Sequence, residues 1–323
     1  AALTQAAARP VSWLPTGWWE LPPETNLSRC PAYKKGALFG MDAASAAAVL
    51  ALSVEPGHDV LDLCCAPGAK LVYLAQLLNG RGRLVGVDAA DHRLAACRTL
   101  CRKYGVEDVV SLFHADGRTW SLRCWDLLEK LREAERDGHG RKGRKRRREH
   151  VLAAEKSEAG PSVGSATNKP AFFDRVLVDA ECTHDGSVKH IEKYRSQWGG
   201  LDEMDRRVPW LQPAELEQLV ELQRALLWSG WQQLRPGGII VYSTCSLAPV
   251  QNEEVVQWLL EREPLLAHLD PLPFELGSSM TPAMHCPNLQ DMAEKQASTT
   301  VPAARFDPVT SRTSGLFLAR LRK

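Results

Sequence analysis

A repeating alternation between short apolar runs and helix-like segments constrains this chain more than any other feature. Val60-Leu61-Asp62-Leu63 reads as a buried strand, the small-residue turn Ala66-Pro67-Gly68-Ala69 follows, and Lys70 to Leu78 has helical character. Leu84 to Asp88 is a second strand with a helix over Asp91 to Tyr104, and Val109 to Phe113 is a third strand. Arg175 to Asp179 is a fourth, Pro213 to Leu234 a long helix, Gly238 to Tyr242 a fifth strand, and Gln251 to Arg262 another helix. Leu316 to Leu321 suits a closing strand, and the Ala-rich Asp42 to Val54 reads as a helix that Asp42 caps. Strands that alternate with helices predict an α/β protein whose parallel sheet is covered on both faces.

At 323 residues with 44% hydrophobic content, the chain can build one large α/β domain, or a medium domain with an appendage. A net charge of only +1 confines any polyanion-binding surface to a local patch. The nine cysteines are Cys30, Cys64, Cys65, Cys97, Cys101, Cys124, Cys182, Cys245 and Cys286. An odd count in a chain of this size argues against a secreted disulfide framework and for an intracellular protein. The absence of any C-x-x-C pair argues against a structural zinc site, so no metal is expected; Cys97 and Cys101, one helical turn apart, read as core. No apolar run approaches the roughly 20 residues of a membrane span. The chain opens at Ala1 rather than Met, which is expected of a fragment or a processed form.

Two stretches stand outside the rhythm. Residues 1–40 form an arm rich in Pro and Trp, with Trp13, Trp18 and Trp19, whose aromatics are expected to pack on the main domain rather than stack on bases. The rest, 41–323, is read as the main domain, interrupted at 128–169 by a charged and then Ala/Ser/Gly-rich insertion containing Arg141 to Arg148. That composition cannot bury enough apolar surface to order itself. Its alternatives are a solvated loop, a contact to RNA phosphates or a nuclear address.

In an open α/β sheet, ligands bind beyond the carboxyl ends of the strands. Four such ends carry candidates here. The turn Cys64-Cys65-Ala66-Pro67-Gly68-Ala69-Lys70 lets backbone approach a ligand and leads into a helix start. Asp88 ends the second strand about 20 positions further on, which suits a ribose diol. Asp116, just past the third strand, is placed to meet an adenine amine, and Asp179 ends the fourth. One such Asp is usually a turn former, but three in equivalent places are not so easily assigned that way. Cys182 and Cys245 then follow adjacent strand ends, in Asp179-Ala180-Glu181-Cys182-Thr183 and Ser243-Thr244-Cys245-Ser246.

With these residues in place, the chain resembles the Nol/Nop/Sun family of S-adenosylmethionine (SAM)-dependent RNA 5-methylcytosine methyltransferases. The resemblance runs from about Gly36 to the C-terminus, outside the insertion. It rests on Gly40 to Ser45, Asp62 to Lys70, Arg175 to Thr183, Leu234 to Gly238, Val241 to Ser246 and Gln251-Asn252-Glu253. It implies a Rossmann-like class I methyltransferase, with a mostly parallel seven-stranded sheet and helices on both faces. It implies that Cys64 through Lys70 form the SAM loop, with Asp88 at the ribose, Asp116 at the adenine and Asp179 near the methionine end and the target base. Cys245 would be the nucleophile and Cys182 the cysteine of product release. A thiolate suits this reaction because it adds to carbon 6 of cytosine, which makes carbon 5 nucleophilic, and then leaves readily. The implied substrate is RNA, ribosomal favoured over transfer RNA, with the arm, the insertion or a partner protein supplying specificity. The basic run points to the nucleus or nucleolus; a processed N-terminus would allow a mitochondrion.

Two positions depart from the family pattern. Ala69 stands where the family usually has a second Gly, tolerable unless that position needs a positive φ. Glu181 stands where Pro usually precedes the release cysteine. A carboxylate beside Cys182 is expected to raise that thiol's pKa, in which case Glu181 itself could serve as the base. Two other readings stay open: a catalytically silent, RNA-binding ribosome assembly factor, and a SAM methyltransferase for small molecules, which has no need of a Thr-Cys pair. For the insertion, deleting 130–168 is expected to leave the melting temperature nearly unchanged; a large fall would place that segment in the core.

Overall fold

The computed structural model describes residues 8–22, 25–121, 173–197, 213–274, 281–282 and 302–323. The chain divides into two units, one formed by Ala1–Trp120 with Phe173–Lys323 and the other by Ser121–Phe172. The basic run expected within 128–169 lies outside the described residues.

Five strands form the parallel part of one sheet: Asp59–Asp62 (β1), Arg83–Asp88 (β2), Val110–His114 (β3), Phe173–Asp179 (β4) and Leu234–Thr244 (β5). Four more follow in the chain: His268–Leu269 (β6), Thr281–Pro282 (β7), Ala303–Phe306 (β8) and Leu316–Arg322 (β9). The spatial order is β3-β2-β1-β4-β5-β9-β8-β7, with β6 paired to β9. Pairs among β1 to β5 are parallel, and β9 enters antiparallel between β5 and β8. The expected seven strands are therefore present as β1 to β5, β8 and β9. The two-residue strands β6 and β7 extend the sheet to nine strands among the described residues.

Among the described residues, the helices of eight or more residues are Ala43–Leu50 (α1), Ala69–Leu78 (α2), Asp91–Tyr104 (α3), Val188–Gln197 (α4), Pro213–Gln233 (α5) and Glu253–Arg262 (α6). Asp42 caps α1 by accepting the Ala44 N–H at 2.9 Å, as its position predicts. The helix stops at Leu50, four residues before the expected Val54, and Ser53 adopts a left-handed φ of 50° just beyond. On α2, Gly68 supplies the N-cap with φ 107°.

Side-chain alternation along the central strands explains the two covered faces. Leu177, Ile239 and Val241 join a core with Leu71, Leu74, Leu78, Leu94 and Cys97 of α2 and α3. Val176, Val178 and Ile240 point the other way, against α5. That helix approaches so closely at Gly230 that an added Cβ would lie 3.0 Å from Val176 Cγ1 and Val178 Cγ2. The N-terminal arm closes on the first core: Trp13 packs on Phe306 with ring centroids 5.6 Å apart, and Trp18 meets Tyr73 edge-on at 5.4 Å. Trp19, by contrast, is 58% exposed. Among the described residues no helix is long and apolar enough to cross a membrane.

The tight α5–sheet contact makes a sharp test of this packing. Gly230→Val should overpack the interface and lower the unfolding free energy by about 1–3 kcal/mol in denaturant titration; no loss would mean that α5 stands further from β4 and β5.

Candidate active site

The carboxyl ends of β1 to β5 open into one cleft of about 1760 Å³. Single small-ligand pockets span roughly 300–1,000 Å³, so a cofactor and a second group can share this one. Cys64, Ala66, Pro67, Lys70, Asp88, Asp116, Asp179, Glu181 and Cys245 all line it. The cleft thus brings together the strand-end residues singled out from the sequence. Cys65 and Cys182 sit behind its wall, 4% and 1% exposed.

The turn after β1 owes its shape to Gly68, where a side chain would collide with the Cys97 backbone at 3.1 Å. Ala69 is the first helical residue, and its backbone is not among those with positive φ. Its methyl group therefore costs the turn nothing. The Gly68 and Ala69 amides, at the N-terminus of α2, have no acceptor among the described residues, though neither residue is among those that line the cleft. Arg93 of α3 clasps the turn through the Ala66 carbonyl at 2.8 Å.

The three strand-end carboxylates are held differently. Asp88 is buried and accepts the Ala66 N–H at 3.1 Å through one oxygen and the Ala90 N–H at 2.9 Å through the other. Each oxygen keeps a lone pair for a further donor such as a sugar hydroxyl. Asp116 is exposed, and Arg118 grips both its oxygens, down to 2.6 Å. Those hydrogen bonds hold its carboxyl below the usual range. An adenine amine would have to compete with Arg118. Asp179 pairs with Lys70 Nζ at 2.7 Å and accepts the Ser243 hydroxyl at 2.8 Å.

Cys182 and Cys245 come within 3.3 Å of one another at sulfur. His184, two residues past Cys182, reaches Cys245 Sγ with Nδ1 at 3.0 Å and Cys182 Sγ at 3.7 Å. His184 adopts a left-handed φ of 58° and stacks on His190 of α4 at 4.4 Å. Hydrogen bonding to Cys245, then to His184, pulls the Cys182 thiol down to about 6 despite its burial. The same hydrogen bond, then burial and the charge on Cys182, pushes Cys245 up. The pair releases one proton readily and withholds the second. This corrects the expectation that Glu181 would keep Cys182 protonated: Glu181 is exposed, and its charge acts instead to raise His184. Elsewhere burial pushes the Cys64 thiol up, and hydrogen bonding with Cys97 does the same to Cys65.

Sequence reasoning passed over three contributors. His184 and His190 were missed because nothing in composition or period marks a lone His, although two residues after a strand-end Cys is a signal. Asp62 was read only as strand. It is fully buried, and neither of its oxygens makes a hydrogen bond of good geometry, the Cys64 amide giving weak support.

Solved structures share this architecture. A methyltransferase homolog from Pyrococcus horikoshii aligns with a TM-score of 0.62 and 26% identity, covering 98% of this chain and 78% of that one. An NSun6 from the same organism, solved with SFG, aligns at 0.60 and 23%, covering 94% and 57%. The fold is that of the class I SAM-dependent methyltransferases. More specifically, residues 49–131 and 146–322 match the profile of the 16S rRNA methyltransferase RsmB/F family. The chain belongs to that family, and so to the Nol/Nop/Sun RNA 5-methylcytosine methyltransferases. Among curated relatives, the 5-cytosine rRNA methyltransferase NSUN4 of Bos taurus is 32% identical over 241 residues, 73% of this chain and 49% of its own length. Ribosomal RNA small subunit methyltransferase F of Serratia proteamaculans is 26% identical over 318 residues, 97% and 51%. The tRNA (cytosine(49)-C(5))-methyltransferase of Pyrococcus abyssi is 23% identical over 323 residues, 97% and 79%. The chain spans about half the length of the first two.

Asp62 gives the site a pH signature. Burial, then the charge of Asp179, pushes its carboxyl up to about 8, against ~3.9 in an unfolded chain. The folded protein then holds a proton that the unfolded chain releases. Its contribution to stability is full below about pH 4 and is lost as pH rises through about 8. Wild-type unfolding free energy should fall between about pH 5 and about pH 8, and Asp62→Asn should flatten the slope. Identical slopes in the two proteins would contradict this.

Proposed function

We propose that this chain carries the catalytic domain of a SAM-dependent RNA (cytosine-C5)-methyltransferase, with Cys245 as nucleophile and Cys182 as the residue of product release. The observation that carries the reading is the cysteine pair at 3.3 Å, with Cys245 on the cleft and Cys182 buried behind it. Ribosomal RNA is favoured over transfer RNA because the matching profile is that of rRNA enzymes. Lys189 and Lys193 of α4 line the cleft and suit RNA phosphates. A partner protein is a further candidate source of RNA specificity.

The residues present fit SAM. The turn from Cys64 to Lys70 would meet its charged end, Asp88 would accept from the ribose diol, and Asp116, released from Arg118, would meet the adenine. When bound, SAM supplies an electrophilic methyl group. Attack by Cys245 forms the bond from sulfur to carbon 6 of cytosine, and His184 Nδ1 at 3.0 Å is placed to take the thiol proton. The electron pair displaced from the carbon 5–carbon 6 double bond makes carbon 5 the nucleophile. Asp179, fixed by Lys70 and Ser243, is positioned to hold the exocyclic amine. After transfer, the proton on carbon 5 leaves, the double bond reforms and Cys245 departs as thiolate. Cys182, 3.3 Å from the Cys245 sulfur and beside His184, is placed to accept that proton without help from Glu181.

The test follows from the separable formation and breakdown of the adduct. With labelled SAM and bulk RNA, Cys245→Ala should abolish both methyl transfer and covalent RNA attachment. Cys182→Ala should permit transfer but accumulate protein–RNA adducts that survive denaturing electrophoresis. Trapping by Cys245→Ala with none by Cys182→Ala would reverse the two roles. In the wild type, breakdown of a preformed adduct should slow as pH falls and Cys182 gains its proton; a breakdown rate with the same pH dependence in Cys182→Ala would remove Cys182 as the base.

A further inference from the structure

Three soft donor atoms converge at the bottom of the cleft. The Cys182 and Cys245 sulfurs and His184 Nδ1 all lie within 4.8 Å of one another. They form a small triangle, with edges of 3.3 Å between the sulfurs and 3.0 and 3.7 Å from nitrogen to each sulfur. A tetrahedral Zn²⁺ has bonds of about 2.3 Å to thiolate and about 2.0–2.1 Å to imidazole. Those lengths require edges of about 3.8 Å between two sulfurs and about 3.6 Å between sulfur and nitrogen. The triangle falls short by roughly half an ångström on two edges and matches on the third. Rotation about the side-chain bonds of Cys245, which faces the cleft, can supply that adjustment.

We propose that Cys182, His184 and Cys245 form a reversible binding site for a soft divalent cation of the Zn²⁺ class, which occupies the nucleophile and silences the enzyme. Two thiolates and an imidazole make a donor set that selects Zn²⁺ over the hard cations Mg²⁺ and Ca²⁺. Three protein ligands leave the fourth position open to water on the cleft side, which Cys245 lines. The surroundings hold the donors in place. His184 is stacked on His190, and His190 is itself anchored to the Ser187 hydroxyl at 2.8 Å. The Cys245 carbonyl accepts the Gly186 N–H at 2.9 Å, tying the loop after β5 to the one after β4. On binding, each protonated thiol gives its proton to solvent, so the site exchanges protons for metal and involves no redox step. The blocking consequence rests on Cys245 being the nucleophile; the binding does not.

The experiment uses the whole protein in a non-chelating phosphine reductant, with Co²⁺ alone as the spectroscopic probe and Zn²⁺ as competitor. One Co²⁺ per chain should bind with the intense visible bands of tetrahedral coordination and a near-ultraviolet thiolate-to-metal band, and Zn²⁺ should displace it. His184→Ala should weaken binding by more than the ~10–100-fold typical of losing an outer-shell partner. Cys182→Ser and Cys245→Ser should each reduce the thiolate band. X-ray absorption at the zinc edge of the wild type, which needs no variant to fold, should give two sulfurs in the inner shell. Octahedral cobalt spectra, or wild-type affinity in His184→Ala and Cys182→Ser together, would overturn the site. In parallel, Zn²⁺ should abolish covalent RNA attachment and a chelator should restore it. Tight binding without loss of attachment would leave the site standing but refute Cys245 as nucleophile, so the two failures are distinguishable.

Discussion

The geometry of the two cysteines depends on a buried lattice of side-chain amides that fastens the loop after β4 to the loop after β5. Gln251, 1% exposed, donates through Nε2 to the Thr183 hydroxyl at 2.9 Å and the Ser246 hydroxyl at 3.0 Å, and its Oε1 accepts the Thr183 N–H at 3.2 Å. Gln223 of α5 donates to that same Oε1 at 3.1 Å and to the Glu181 carbonyl at 2.8 Å. Asn252 accepts the Thr244 hydroxyl at 2.6 Å and donates to the Ser246 carbonyl at 2.9 Å. Residues 181, 183, 244 and 246 flank the cysteines on both sides, so fixing them fixes the sulfurs. A buried orphan in so deep a network costs about 1–3 kcal/mol, and among these amides the Gln223 Oε1 is such an atom. Glu253 extends it outward through a 2.5 Å ion pair with Arg305.

Charge is arranged around this lattice with the same economy. Asp62, Asp88 and Asp179 end neighbouring strands, and like charges so close would oppose ionisation of all three. Lys70 resolves most of the conflict by pairing with Asp179 at 2.7 Å, and backbone amides satisfy Asp88. Asp62 is left without a cation and with burial against it, so it keeps its proton. A neutral Asp62 behind the turn spares Cys64 and Asp179 a further negative neighbour.

Much of this was legible in the sequence because the sheet is built from continuously apolar strands with a polar residue at each end. The α3 bounds, Asp91–Tyr104, coincide with the expected helix, and β1 to β5 lie where the apolar runs put them, β1 and β3 shifted by one residue and β2, β4 and β5 longer. Extension of β5 back to Leu234 takes in Pro236-Gly237-Gly238, which signals a turn and forms an irregularity: the register with β4 jumps from Leu234 to Ile239, and Gly237 keeps a φ of 75°. Strand β8 was missed because Ala303–Phe306 has no apolar run, and only its antiparallel pairing with β9 makes it a strand. Helix α4 was missed for a related reason. Val188–Gln197 is mostly polar, and with Val188 47% exposed the helix presents no apolar face for the sequence to announce.

The two departures from the family pattern end differently once the local physics is considered. Ala69 is harmless because the strained backbone position is Gly68, one residue earlier, so the methyl group falls on an ordinary helical residue. Glu181 is a real change of chemistry. Proline there would fix the backbone and leave no charge; Glu181 leaves both the backbone and the charge free to act. Its backbone is instead held by Gln223 through the carbonyl, which substitutes a hydrogen bond for the ring's constraint. Its carboxylate is exposed on the cleft and adds to the rise of His184 that hydrogen bonding with Cys182 chiefly causes. A more readily protonated His184 favours thiolate in the cysteine pair it touches. A raised His184 is also a stronger base for the Cys245 proton 3.0 Å away, so the substitution adds to the pull on the nucleophile's proton without changing the residue that accepts it.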